Sequence, residues 1–212
     1  MKRLLFWLFL GIFVAGTVSA QPRNTDRSRW KSAKKMAKEL VAEGWKVDGS
    51  RALEDLIFEH YQKLTDENNQ ELVANVVGQT SVKTLNQAAQ WAATNASISY
   101  AKQARQMVAG RITAEFGAGV AESPSVDNFY EGYESRVAKE LNGELKKSFS
   151  VYREKKEGGI DYKAFYLVNE EAASSARMRA LERMKAESEF LRENAEKISE
   201  FVRDGFPIEP GE

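Results

Sequence analysis

His60 is the only histidine among the 212 residues, and it stands beside Glu59 and close to Asp55. An imidazole with a carboxylate neighbour can carry protons or bind a metal. Here the acids fall at no recognised ligand spacing, and a lone histidine inside a helix is more often packed than catalytic. Paired carboxylates are the second chemistry on offer. Glu170–Glu171, Glu187/Glu189 and the group Asp127, Glu131 and Glu134 could divide into a general acid and a general base if they faced a cleft. On charge-laced helices such pairs ordinarily mean solvation, and acids at the start of a helix answer its positive end. No HExxH, GxSxG, phosphate-cradling glycine loop or EF-hand loop is present, and Gly117-Ala118-Gly119 lacks the Lys-Ser/Thr of a nucleotide loop. Cysteine is absent, so thiol catalysis, disulfides and cysteine-ligated metals are excluded. The residues nominate no catalytic, metal-ligating or cofactor-binding group.

Aromatic residues carry more recognition potential than the acids do. Tyr130, Tyr133, Tyr152, Tyr162 and Phe165 concentrate in the C-terminal half, and helix and strand periods send them to opposite faces. An exposed aromatic strip would bind a protein, peptide or glycan. Tyr130, Tyr152 and Phe165 are the expected recognition surface, because the pattern sets them opposite the better apolar faces. Ordinary sheet packing is the competing reading.

The whole chain balances 31 basic against 31 acidic residues, which gives no global case for nucleic-acid binding. Its first residues read as a secretory signal. Lys2 and Arg3 precede the apolar run Leu4 to Val14, and Val18-Ser19-Ala20 forms a small-residue cleavage site; the rival reading is an uncleaved membrane anchor, for which the run is short. The expected divisions are a signal peptide at 1–20, a flexible lead-in at 21–28, an N-terminal helical region at 29–69, an α+β core at 70–186, and a C-terminal helix extension and tail at 187–212. Export would place the protein in the periplasm or at the periplasmic face of the outer membrane. The mature chain carries no span-length apolar run, so any membrane association would be peripheral.

Within these divisions the periods are clear. Trp30, Ala33, Met36, Ala37, Leu40 and Val41 mark an amphipathic helix ending at Gly44, with Lys31, Lys34, Lys35 and Lys38 mostly on its other face. Those lysines could adsorb to anionic lipid or to a protein. With Glu39 and Glu43 nearby, the sequence favours a solvated face. Ser50 can cap a second helix through Leu53, Ile57 and Leu64. LVANVV then reads as a buried strand ending at Gly78. It leads into the long alanine-rich helix Leu85–Phe116; Thr94-Asn95-Ala96-Ser97 lowers helix propensity near its middle, and the sequence leaves open whether the helix is kinked or broken near Asn95. Gly110 is read as allowing close packing. Phe129, Tyr133, Val137 and Leu141 recur at helical spacing, and two alternating runs flanking Glu157-Gly158-Gly159 form an antiparallel hairpin. Glu170 to Arg203 is helical again, and its second half must turn back, protrude or meet a partner. The fold class is α+β: a small antiparallel or mixed sheet of about three to four strands packed by long alanine-rich helices.

That order resembles the LPP-type membrane-associated lipoproteins of Gram-negative envelopes. In that family a short strand ending in glycine, here residues 72–78, precedes a helix with repeated alanines, here Ala88, Ala92 and Ala96 or else Ala101, Ala104 and Ala109. The later strands would be Ser148–Arg153 and Asp161–Val168, with YKAFYLV similar to the family's strand. The resemblance covers roughly residues 70–186 and implies no catalytic residues. It stops short of a lipid anchor, since no cysteine follows the signal. The function expected is a non-enzymatic envelope protein acting as a structural or protein-interaction module, with an envelope partner or self-association through the C-terminal helix. The alternative is an envelope hydrolase acting on glycan or peptide through carboxylates.

Overall fold

Helical and alternating periods sort themselves into an α+β fold. The computed structural model describes residues 26–64 and 73–203. Its elements are α1 (Asp26–Ala42), β1 (Lys46–Val47), α2 (Leu53–Leu64), β2 (Val73–Val82), α3 (Leu85–Phe116), α4 (Ala118–Ala121), α5 (Pro124–Leu141), β3 (Lys146–Glu154), β4 (Ile160–Asn169), α6 (Glu170–Met184), α7 (Glu189–Glu193) and α8 (Ala195–Arg203). The signal sequence and the stop at Gly205-Phe206-Pro207 lie outside the described residues. The strands form one antiparallel sheet in the order β1-β3-β4-β2. Gly158 and Gly159 close the β3–β4 hairpin at φ of 87° and 91°, a left-handed geometry that glycine adopts without a Cβ penalty. β2, which holds VANVV of the LVANVV run, joins β4 from Val73 opposite Asn169 to Val82 opposite Ile160.

Both faces of the sheet are covered at β3 and β4. On one side Tyr162, Ala164, Tyr166 and Val168 of β4 pack with α3, α5 and α6 in the main core. On the other, Phe149, Val151 and Phe165 pack with Trp45 and with Ala33, Ala37, Leu40 and Ile57 of α1 and α2. The N-terminal helices are thus the second lid of the sheet. Asp48, just after β1, fastens that lid to the hairpin. Its Oδ2 accepts from the Ser150 hydroxyl at 3.0 Å and from the Tyr162 hydroxyl at 2.9 Å.

α3 is continuous through Asn95, which settles the question the sequence leaves open there. The polar residues there are satisfied in place. The hydroxyls of Thr94 and Ser97 bond back to the carbonyls of Gln90 and Ala93 at 3.2 and 3.1 Å, while Asn95 Nδ2 donates to the Gln79 carbonyl of β2 at 2.8 Å. Helix propensity is a weak prior, and these tertiary contacts override it. β2 also runs on past Gly78, so the glycine is not a stop. It is the point where α3 crosses the strand: a Cβ at Gly78 would lie 1.8 Å from the Ala92 carbonyl oxygen. Gly110, by contrast, faces open space, with nothing within 4 Å of its added Cβ. Its expected packing role is not what the fold uses it for.

The helical run after β4 is not one rod. It breaks after Met184, and the Ser188 hydroxyl accepts from the Leu191 amide at 3.2 Å to start α7. α7 and α8 then return along the bundle and bury Phe190, Leu191, Ile198, Phe201 and Val202 in the main core. Of the three fates open to this segment, turning back is the one adopted, and its apolar stripe is covered by its own chain.

Candidate functional site

The three aromatics expected to form a recognition surface do not share an exposed face. Phe165 is 5 % exposed and stacks on Phe149 at 4.2 Å, the planes 8° apart, beneath α1 and α2. Tyr130 is also 5 % exposed, in the main core on the opposite side of the sheet. Tyr152 is half-buried against that main core. Alternation along β4 placed Phe165 opposite the main apolar face, as expected. That second face is simply covered by two helices whose docking no local period reveals. His60 is buried on α2, edge-on to Phe149 at 5.4 Å and to Phe165 at 6.0 Å between centroids, as part of the same aromatic cluster.

Three of the seven candidate carboxylates, Glu134, Glu170 and Glu187, are engaged by arginines, as is Glu140. Glu134 accepts from Arg105 at 3.1 Å, Glu140 from Arg179 at 2.9 Å and from Arg183 at 2.6 Å, and Glu187 from Arg136 at 2.5 Å. Glu170 meets Arg177, whose side chain is completely buried. Arg177 Nε donates to the Val202 carbonyl near the end of α8 at 3.2 Å, and its other nitrogens donate to the Tyr100 hydroxyl and to Glu170. One guanidinium therefore ties α3, α6 and α8 together. Its enclosure makes it a structural tie, closed to any ligand. Among the described residues no group of three or more histidine and acid side chains is placed to hold a metal.

Burial pushes several tyrosines well above the ordinary 10.0. Tyr100 rises to about 12, with Arg177 pulling the other way, and Tyr162 rises to about 12, again chiefly through burial. Tyr133 is driven up further by the same cause. A raised folded-state value means stability that is complete below pH 10 and is lost as pH climbs toward the folded value. Absorbance at 295 nm is therefore expected to show these phenols ionising together with loss of the helical circular dichroism signal above pH 10. Independent ionisation at pH 10 in a still-folded protein would contradict the burial described here.

Two recesses formed by the described residues open to solvent. The first, of about 520 Å³, lies between the end of α3 and α7–α8 and is lined by Glu115, Phe116, Glu193, Glu196, Lys197 and Glu200, among others. Lys197 pairs with Glu115 at 3.2 Å. The second, of about 450 Å³, is a groove between α3 and α5, where Thr94, Ser97 and Ile98 face Glu134, Ala138 and Asn142. Trp91, two helical turns before Ile98 on the same side of α3, is 59 % exposed, and Ile98 is 36 % exposed. The spacing i, i+3, i+7 of Trp91, Thr94 and Ile98 puts them in one row. The alanine stripe of α3 lies on a different side of the helix and is buried. Two large apolar residues seven apart on the polar side of an alanine-rich helix were the signal available in the sequence, and attention to the alanines passes over it.

No protein-family model matches this chain, and neither the curated proteins nor the solved structures yield a match. Fold and site therefore stand on their own geometry. No described helix is long and apolar enough to cross a membrane.

Proposed function

We propose that the chain is an exported, non-enzymatic interaction module of the cell envelope, and that the Trp91–Ile98 side of α3 is where it receives a partner. The observation that carries this reading is the exposed indole of Trp91 in line with Ile98 beside the α3–α5 groove. Tryptophan leads the residue types that dominate binding energy at interfaces, and an apolar anchor beside a groove is how amphipathic segments are held. The partner chemistry that fits is a segment presenting apolar anchors at helical spacing. Glu134 and Lys139 at the groove wall would set its orientation through polar rim contacts. The likeness to LPP-type envelope proteins supports the same reading.

Trp91→Ala/Ile98→Ala is expected to leave stability within about 0.5 kcal/mol, as for exposed positions, while eliminating association with the partner. Thermal melts and chemical crosslinking in intact cells read the two effects separately. Unchanged crosslinking would remove the reading.

The hydrolase reading keeps one supporting observation, the glutamate-lined recess at the end of α3. Acid and base roles divide when one carboxyl sits in an apolar surrounding, whereas Glu193, Glu196 and Glu200 are all exposed. Release of soluble fragments from purified cell-wall glycan, abolished by Glu193→Gln/Glu200→Gln, would favour it over the interaction module.

A further inference from the structure

The strongest charged feature outside the α3 groove lies on the opposite lid of the sheet. Arg27, Lys31, Lys34, Lys38 and Val41 follow one another at spacings of four and three along α1, so they form a single row about 21 Å long at 1.5 Å per residue. The four cations are exposed, and Val41 at the end of the row is 62 % exposed. The inner side of α1 is occupied, with Ala33, Ala37 and Leu40 buried against the second core.

The acids that weaken this patch in the linear sequence do not fall on the row. Asp26 is held by Arg29 at 3.3 Å, Glu39 faces Lys35 at 4.0 Å, and Glu43 accepts from the Trp45 indole at 3.0 Å. Among the described residues, no carboxylate comes within ion-pair distance of Arg27, Lys31, Lys34 or Lys38. The row is thus an uncompensated line of positive charge on a protein with no net charge. Lys34 lies 5.2 Å over the Trp30 ring, which is itself braced edge-on by Phe58 at 5.1 Å. That bracing keeps this part of the row in place.

We propose that this row lies on an anionic phospholipid surface. A line of lysine ammonium groups suits phosphate headgroups, which it meets as point charges without the fork geometry that base or carboxylate recognition exploits. An exposed valine at one end of the line suits the boundary between headgroups and acyl chains. A polynucleotide would call for a wider basic field than a neutral chain provides. The proposal is independent of the α3 groove, which belongs to the other side of the sheet.

Flotation of the full-length protein with vesicles tests it. Vesicles of phosphatidylcholine alone measure binding without charge, and vesicles with about one-third phosphatidylglycerol measure the added electrostatic attraction. At about fivefold per lysine near such a surface, Lys31→Gln/Lys34→Gln/Lys38→Gln is expected to weaken binding to the anionic vesicles about 100-fold and to leave binding to the neutral ones unchanged. Lys102→Gln/Lys147→Gln/Lys156→Gln, the same charge change made at exposed lysines elsewhere, is expected to shift binding less than threefold. Circular dichroism confirms that both variants fold, as exposed lysines allow. Equal losses in the two triple variants would overturn the proposal. So would wild-type binding with no preference for anionic vesicles. Capture by polyglutamate beads without vesicle binding would assign the row to an acidic protein instead, and would likewise overturn it.

Discussion

Gly78→Ala is expected to destabilise the protein by about 3 kcal/mol, at the upper end of overpacking effects. The physical cause is backbone against backbone. The added methyl would sit 1.8 Å from the Ala92 carbonyl oxygen and 2.6 Å from its carbon, and neither can rotate aside as a side chain would. Relief requires sliding α3 away from β2, which strains the seam where Ala88, Ala92 and Ala96 are wholly buried. Interiors are close-packed enough to transmit such a shift instead of absorbing it. Gly110→Ala on the same helix supplies the contrast. Nothing lies within 4 Å of its added Cβ, so the change should stabilise by up to about 1 kcal/mol, the helix-propensity difference between the two residues. Urea unfolding of the two variants measures both signs. A Gly78→Ala protein as stable as wild type would mean that α3 does not cross β2 at this point.

Arg177→Met is the second large effect, expected to cost about 3–5 kcal/mol, as when one partner of a buried ion pair is removed. Methionine fills much of the space but donates nothing. The Tyr100 hydroxyl, the Val202 carbonyl and the Glu170 carboxylate all lose the donor they now share. Glu170 keeps some contact with water, its side chain being 25 % exposed, which points to the lower part of that range. Adding Glu170→Gln removes the uncompensated charge and should recover about 1 kcal/mol or more, so the two changes are non-additive in a double-mutant cycle. Strict additivity would show that the guanidinium and carboxylate are not coupled. The loss should also loosen α8 first, because Arg177 holds the carbonyl of Val202 close to that helix's C-terminal end. Hydrogen exchange of the α8 amides reads this directly.

The fold was legible wherever a period ran long enough. Phe129, Tyr133, Val137 and Leu141 are all buried along α5, and the alternation on either side of Gly158-Gly159 became the β3–β4 hairpin. What escaped was decided between elements. Phe165 reads as outward-facing until α1 and α2 are known to close over that face. Asn95 leaves a helix break open until Gln79 is found within reach of its side chain. Gly78 reads as a strand terminator, although its lack of a side chain serves a crossing with Ala92, fourteen positions further along the chain. The run from Glu170 to Arg203 reads as helical with three fates open to its second half, and its reversal is set by the Ser188 cap and by the room the bundle leaves for Phe190 and Leu191. In the candidate site the same division holds. Trp91 and Ile98 were visible as residues. Their meaning depended on α5 lying alongside to make a groove.

The interaction reading is tested most directly by photo-crosslinking from α3 itself. A photoreactive phenylalanine analogue is placed at Ile98 in the full-length protein and irradiated in intact cells, with Lys156 at the hairpin turn as the reference position. A discrete adduct of constant mass from position 98, absent from position 156 and lost when Trp91→Ala is added, is the predicted result. Equal or absent adducts at the two positions, in a protein shown to be folded and exported, would contradict it.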